Sequence, residues 1–302
     1  MTGQFLAIGE CMVELAQAEG GLLRKGFAGD TFNAAYYARA ALPPDWAVDY
    51  FTALGVDHVS DEMLRFIEEA GIGTHLIRRI PDRMPGLYMV HLQQGERSFS
   101  YWRSASAARC LAEDAILLRR AIAGADIILF SGITLAILED NGTDTLLTEL
   151  RRAKAAGKLV AFDPNIRPRL WQDAARMRAV LTEGARAATV VLPSFDDEST
   201  HFGDASIDVT INRYRAMGID RIVVKNGGQG LDLSFDDVRE HLPAVKVAQV
   251  VDTTGAGDSF NGIFLAHFAV TGDPVAAARL AVKVAANVIG QHGALIRGVD
   301  CL

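Results

Sequence analysis

Cysteine is scarce: Cys11, Cys110 and Cys301 are the only three in 302 residues. Their odd number and spacing fit neither a disulfide framework nor a thiolate metal centre, so a reducing, cytoplasmic compartment is expected. No apolar run approaches about eighteen residues, which excludes a transmembrane helix. The opening MTGQFLAIGE has no basic n-region, and its apolar run stops at Gly9-Glu10, so it reads as a first strand rather than a secretory signal. Basic charge is in deficit, with 30 Lys+Arg against 37 Asp+Glu and a net charge of −7. Nucleic acid or a membrane surface as partner requires the opposite field, whereas a pocket for one small anion needs only a few placed groups. Internal repeats, low-complexity tracts and Pro/Ser-rich linkers are absent. So are H-E-x-x-H, C-x-x-C, EF-hand and G-x-S-x-G patterns, and the G-x-G-x-x-G of a nicotinamide oxidoreductase.

What remains is an ordinary globular composition, 50% hydrophobic and 22% charged, long enough for one large α/β domain or two smaller ones. In the second half, short apolar runs at 127–130, 159–162, 189–192 and 222–224 alternate with amphipathic segments such as 143–156, which ends at Gly157. Fully apolar strands alternating with helices indicate a parallel sheet buried on both faces. Residues 258–292 read as two helices broken at Gly272-Asp273-Pro274. The first half differs: 12–28 and 86–103 read as hairpins, the latter turning at Gln94-Gly95, with the helical pattern 60–70 between them. The expectation is one α/β body with a small β lid built from two separated excursions.

Chemistry-bearing groups follow the strand runs directly: Ser131-Gly132, Asp163, Ser194 and Lys225. In open parallel sheets, ligands bind beyond the carboxyl ends of the strands. Each residue alone is equally a turn former; four in sequence favour a shared site. The most specific segment is Asp252-Thr253-Thr254-Gly255-Ala256-Gly257-Asp258-Ser259-Phe260, between the run VAQVV and an apolar helix. Glycines let the backbone approach a ligand, and successive N–H groups at a helix N-terminus form an anion site. Asp258 falls in the first helical turn, facing such an anion; taken alone, the same residue serves as a helix cap.

This segment resembles the C-terminal signature of the ribokinase-like sugar kinases, the phosphofructokinase-B family, and the resemblance extends over nearly the whole chain. Within that family, Asp163-Pro164-Asn165-Ile166-Arg167-Pro168-Arg169-Leu170-Trp171 and Tyr101-Trp102-Arg103 are most similar to the 2-keto-3-deoxygluconate kinases. The resemblance implies a single ribokinase-like domain over 1–302: a doubly wound, mainly parallel sheet flanked by helices, with a β-sheet lid from about 12–28 and 86–103. It also implies ATP and Mg²⁺, with a monovalent cation such as K⁺ as a further candidate. Asp258 corresponds to the base, and Gly255, Ala256 and Gly257 to the anion hole. Asp252 and Thr254 resemble the monovalent-cation loop, and Lys225, Asn226, Gly227 and Gly230 the nucleotide loop. Asn287 is the adenine-pocket candidate, while Asp163, Asn165, Arg167 and Ser194 belong to the nucleotide side. The family's usual Asn-x-x-Glu is replaced by Ser194-Phe195-Asp196-Asp197, which leaves Asp197 or the adjacent Glu198 to carry the metal's water shell. Upstream, the common Gly-Gly pair is Ala28-Gly29; Gly29, Asp30 and Asn33 resemble the sugar-hydroxyl contacts, and a loop capping the following helix is the alternative.

On an extended strand Tyr101 and Arg103 share a face, with Tyr88 close by on the partner strand. Asp163, Asn165 and Arg167 likewise alternate onto one side of the strand-end cleft. Arg103 and Arg167 facing a ligand point to a sugar carboxylate; an ATP contact for Arg167 and a surface ion pair for Arg103 are the alternatives. The expected substrate is therefore a 2-keto-3-deoxy sugar acid phosphorylated at its 6-hydroxyl. A fructokinase or ribokinase acting on a neutral sugar, or a non-catalytic sensor of the same fold, stands as the alternative. The hairpin 86–103 carries apolar residues on both faces, so a homo-oligomer, at least a dimer, is expected.

Overall fold

The apolar runs become strands of two sheets in the computed structural model, which describes residues 2–93 and 96–298. In chain order the first half comprises β1 (Gln4–Ile8), β2 (Met12–Gln17), β3 (Leu23–Ala28), α1 (Asp30–Ala41), β4 (Ala47–Phe51), β5 (Ala53–Leu54), α2 (His58–Glu69), β6 (Arg78–Arg79), β7 (Leu87–Gln93) and β8 (Glu96–Trp102). Then follow α3 (Ala115–Gly124), β9 (Ile127–Ser131), α4 (Gly132–Ile137), α5 (Asp140–Ala155), β10 (Leu159–Asp163), α6 (Ala174–Ala187), β11 (Val190–Val191), α7 (Phe195–Phe202) and α8 (Ile207–Arg215). The chain continues through β12 (Arg221–Lys225), β13 (Leu231–Phe235), β14 (Val238–Leu242), α9 (Ala256–Thr271) and α10 (Pro274–Ile289).

The main sheet has the order β14-β13-β12-β11-β10-β9-β1-β4, parallel from β4 to β12 and antiparallel at the β12-β13-β14 edge. This is the doubly wound, mainly parallel α/β class expected. Side chains alternate between its faces: Phe5 and Ala7 join a core with α1, α9 and α10, while Leu6 and Ile8 join one with α3, α5 and α6. Strands buried on both faces have no polar side to show, which is why they read as continuous apolar runs. Phe130 and Phe162 stack between neighbouring strands at a centroid distance of 4.7 Å. At the α9–α10 break, Gly272 adopts φ 70°, and the Asp273 carboxylate accepts from Val275 N and Ala276 N above Pro274. Two pieces of this sheet lie outside the runs read from the sequence: β4, and the β13–β14 hairpin turning at Asp236 with φ 52°.

The second sheet has the order β3-β2-β7-β8. β2 is antiparallel to β3 and parallel to β7, and β7 is antiparallel to β8 with Tyr88 opposite Tyr101. One side carries a small buried cluster of Met12, Ala28, Tyr88 and Val90. Gln94-Gly95, where the turn was expected, and Cys301 lie outside the described residues. Among the described residues, no helix is long and apolar enough to cross a membrane.

Candidate active site

The strand order reverses between β1 and β9, opening a crevice at their carboxyl ends. Gly9 follows β1, and a Cβ there would lie 2.2 Å from Thr31 Oγ1, so α1 sits directly over the strand end. α1 is rich in alanine on its buried side, and α9 presents Gly262, whose Cβ would meet Ala34 O at 2.2 Å. These small residues allow the two helices to touch backbone to backbone. Asn33 on α1 thereby reaches Asp258 in the first turn of α9, donating from Nδ2 to Oδ2 at 2.8 Å. Asp30, Ser131, Asp163, Asp258 and Asn261 line the crevice.

Asp258 is shifted from the usual carboxylate value of 3.8 up to about 7. Loss of hydration is the main cause, and the charges of Asp30 and Asp163 add to it; the Asn33 hydrogen bond and the Lys225 ammonium oppose it. Before it, Gly255 turns the chain into α9 at φ 78°, where a Cβ would lie 2.8 Å from Ala294 O. Gly257 is different: a Cβ there meets only Lys225 Nζ, at 3.7 Å. Ala256 N donates to Thr253 O at 3.3 Å, so the next first-turn N–H groups, of Gly257 and Asp258, are the ones helix geometry leaves for an anion.

Lys225, at the end of β12, donates to Asp163 Oδ2 at 3.2 Å and to Asn261 Oδ1 at 3.1 Å. After it, Asn226 N bonds Gly230 O, and Gly227 and Gly230 take φ 48° and 99° in the turn to β13. Ser194 bridges to Lys225 and opens α7. Asn165 adopts φ 34° and donates from Nδ2 to Asp30 Oδ2 at 2.8 Å. The half-exposed Arg167 guanidinium stands 3.9 Å from Asp197 Oδ2. Burial raises the Asp197 carboxyl, with Arg167 opposing and Asp163 adding to the shift. Glu198, weighed for the same metal role, is fully buried on the other side of α7, bound by Arg213 and by Tyr214 Oη. Asp252 accepts from Thr254 N at 3.0 Å and from Gly293 N at 2.8 Å, joining the glycine loop to the chain beyond α10. Asn287 is exposed in the last turn of α10.

On the second sheet, the Tyr88 and Tyr101 rings lie 5.9 Å apart, and the Arg103 guanidinium carbon is 6.0 Å from the Tyr101 ring. Gly29 packs against the same entrance, with a would-be Cβ 2.0 Å from Glu10 O. Two acidic partners here were not singled out from the sequence. Tyr88 Oη donates to Glu14, and Arg103 donates to Glu10, which is buried. Burial pushes the Glu10 carboxyl up, and Arg103 opposes that shift. Glu10 Oε1 and Arg103 Nε are buried without a hydrogen-bond partner among the described residues. Glu10 lies two residues past the end of β1, and Asp163 closes β10, so the strand-end rule finds Glu10 once β1 is included. Asn261 was also missed; its signal is the one-turn spacing Asp258-x-x-Asn261, which repeats Asp30-x-x-Asn33.

The chain is 38% identical over 302 residues to a 2-dehydro-3-deoxygluconokinase of Dickeya dadantii (strain 3937), covering 98% of this chain and 97% of that one. It is 36% identical over 303 residues to a 2-dehydro-3-deoxygluconokinase of Escherichia coli (strain K12), covering 98% of each. Among solved structures, a fructokinase with bound ATP from Xylella fastidiosa superposes with a TM-score of 0.84 at 25% identity, over 97% of this chain and 94% of that one. The pfkB family carbohydrate kinase pattern matches residues 4–298, a span that takes in both sheets, the crevice and the glycine-led turn into α9. With both sheets and the crevice inside a match that runs nearly the whole chain, the protein belongs to the pfkB family of carbohydrate kinases.

Proposed function

We propose that this protein is an ATP-dependent kinase that phosphorylates 2-keto-3-deoxygluconate, or a close 2-keto-3-deoxy sugar acid, on its 6-hydroxyl. Asp258 is the base. Asn33 occupies its Oδ2, leaving Oδ1 for the acceptor hydroxyl. The hydroxyl oxygen bonds to the γ-phosphorus as its proton passes to Asp258 and the bond to the leaving ADP oxygen breaks. The Gly255–Gly257 turn brings first-turn N–H groups, and Lys225 an ammonium, to the charge on the transferred group. Asn165, Arg167, Ser194 and the 226–230 turn border the nucleotide. Asn287 lies at its adenine end.

The donor set suits Mg²⁺, which keeps most of its waters and takes one or two carboxylates plus substrate phosphates; Asp197 beside Asp163 supplies that charge. These carboxylates would hold the ion where its charge would offset that of the phosphates. Asp252 and Thr254 are the residues for a monovalent cation such as K⁺.

The observation that carries the acid substrate is Arg103, a buried guanidinium with an Nε–H that no described residue accepts. A sugar carboxylate meets that donor, Tyr88 and Tyr101 face the same ligand, and Asp30 and Gly29 take its hydroxyl end. The relatives named for this activity support the same reading. The second sheet then acts as a lid on a single ribokinase-like unit. Its exposed Leu22, Leu23 and Trp102 meet a second copy, and sedimentation as a strict monomer at micromolar concentration contradicts that pairing. The free buried thiols of Cys11 and Cys110 support a cytoplasmic setting. The deciding assay compares ATP consumption with 2-keto-3-deoxygluconate, fructose and ribose. A kcat/KM for the acid well above both neutral sugars is expected, and equal values for fructose and the acid overturn the carboxylate reading.

A further inference from the structure

Three separate elements each bring one aspartate and one asparagine to the crevice: Asp30 and Asn33 on α1, Asp163 and Asn165 at the end of β10, and Asp258 and Asn261 on α9. The hydrogen bonds run between elements and close on themselves. Asn33 donates to Asp258 at 2.8 Å, Asn261 to Asp163 at 2.6 Å, and Asn165 to Asp30 at 2.8 Å. Each carboxylate is thus held by an amide from a different segment, so none is free to rotate alone. Asn261 has a second task. It is 2% exposed, and while its Nδ2 binds Asp163, its Oδ1 accepts from Lys225. An aspartate there would put a carboxylate against Asp163, and an apolar residue would leave the ammonium to Asp163 alone.

Given the kinase reading above, we infer that Asn261 is a positioning residue: it closes the three-element ring and holds the Lys225 ammonium beside the N-terminus of α9, where that ammonium meets the transferred phosphoryl group. Two of the three N–H donors of Lys225 go to Asp163 and Asn261, which leaves one for phosphate. Without Asn261 the ammonium settles onto Asp163, away from the first turn of α9.

The test is a double-mutant cycle with Asn261→Ala and Lys225→Met, read as kcat/KM for ATP and, separately, as ATP dissociation constant by calorimetry. Asn261→Ala is expected to lower kcat/KM for ATP by about 10- to 100-fold, the scale of a lost hydrogen bond to a charged group, and to weaken ATP binding. KM for the sugar should stay within about twofold, because Asp30 keeps Asn165. The double variant should match Lys225→Met alone in both readouts; multiplied losses overturn the inference. The acid limb of kcat/KM should also move to higher pH in Asn261→Ala, since Asp258 faces Asp30, Asp163, Asn33 and Lys225, and the departing ammonium is the one cation among them. An unmoved limb counts against the inference. Asn261→Ser, which keeps a smaller donor and acceptor, should recover part of the loss and replaces the alanine variant if that one does not fold. Kinetics are read on the sugar the wild type turns over fastest, and the calorimetric cycle needs no sugar. A wrong substrate assignment therefore shows as an inactive wild type on the sugar acid while the ATP coupling survives.

Discussion

Taking the protein from about pH 8 to about pH 6 protonates Asp258 and should slow catalysis in a way an ordinary aspartate would not. With its carboxyl at about 7, roughly 90% is ionised at the upper pH and roughly 10% at the lower, so kcat/KM for the sugar falls about tenfold. At the usual 3.8 the same interval would leave the rate flat. The neighbours move the limb in known directions. Asp30→Asn removes a charge that raises Asp258 and shifts the limb to lower pH; Asn33→Ala removes a bond that lowers it and shifts the limb up. Asp258→Asn should cost about 10²–10⁴-fold in kcat and abolish the limb. It should also change stability with a definite sign. The folded carboxyl holds its proton more tightly than the unfolded one, so the wild type loses stability as the pH rises from about 4 to about 7. The melting temperature of Asp258→Asn should therefore gain on the wild type across that window, with the gap constant above it. A flat wild-type rate between pH 6 and 8, or an Asn variant keeping a third of wild-type kcat, would refute the assignment of Asp258 as base.

Three further outcomes can be checked. Arg103→Ala should raise KM for 2-keto-3-deoxygluconate by about 10- to 150-fold through loss of a charge-assisted hydrogen bond, with KM for ATP nearly unchanged in steady-state assays. Gly257→Ala should melt within about a degree of wild type, because its Cβ meets only Lys225 at 3.7 Å, yet raise KM for ATP, because the methyl stands where phosphate must approach; unchanged KM for ATP places the anion site elsewhere. Arg213→Ala should destabilise the fold by about 3–5 kcal/mol in denaturant melts by leaving buried Glu198 and Asp204 without their cation, and a variant that melts with the wild type would show the pair to be dispensable.

The sheet and the glycine-led helix were readable from sequence because their signals are local: an apolar run of strand length, a glycine pair before an apolar helix, a polar residue at each strand end. β4 escaped because AVDYF places Asp49 inside the run, and there the carboxylate is satisfied by Gln4 Nε2 at 2.7 Å, a partner on the neighbouring strand. The β13–β14 hairpin escaped because its turn uses Asp236 at positive φ, where a glycine or asparagine would have announced it. In the site, every aspartate of the crevice was found, yet the bonds among them were not. Asn33 and Asp258 are 225 positions apart, and only the close contact of α1 and α9 brings them together. Arg167 shows the limit of strand alternation past a strand end: the positive φ of Asn165 breaks the alternation, and Arg167 turns to Asp197.

The contact between α1 and α9 through Gly262 has a consequence for how ligand binding distributes its costs. Two helices in backbone contact have little room to shift, so the carboxylates they carry are preorganised and reorganise little as charge moves in the reaction. The second sheet meets the segment after β1 through Arg103–Glu10, whereas Tyr88–Glu14 ties β7 to β2 within the sheet itself. With the second sheet as the lid proposed above, conformational work on binding would fall on that cover and not on the reacting centre, and substitutions at the sheet's base should alter which sugar is accepted well before they alter how fast a bound one reacts.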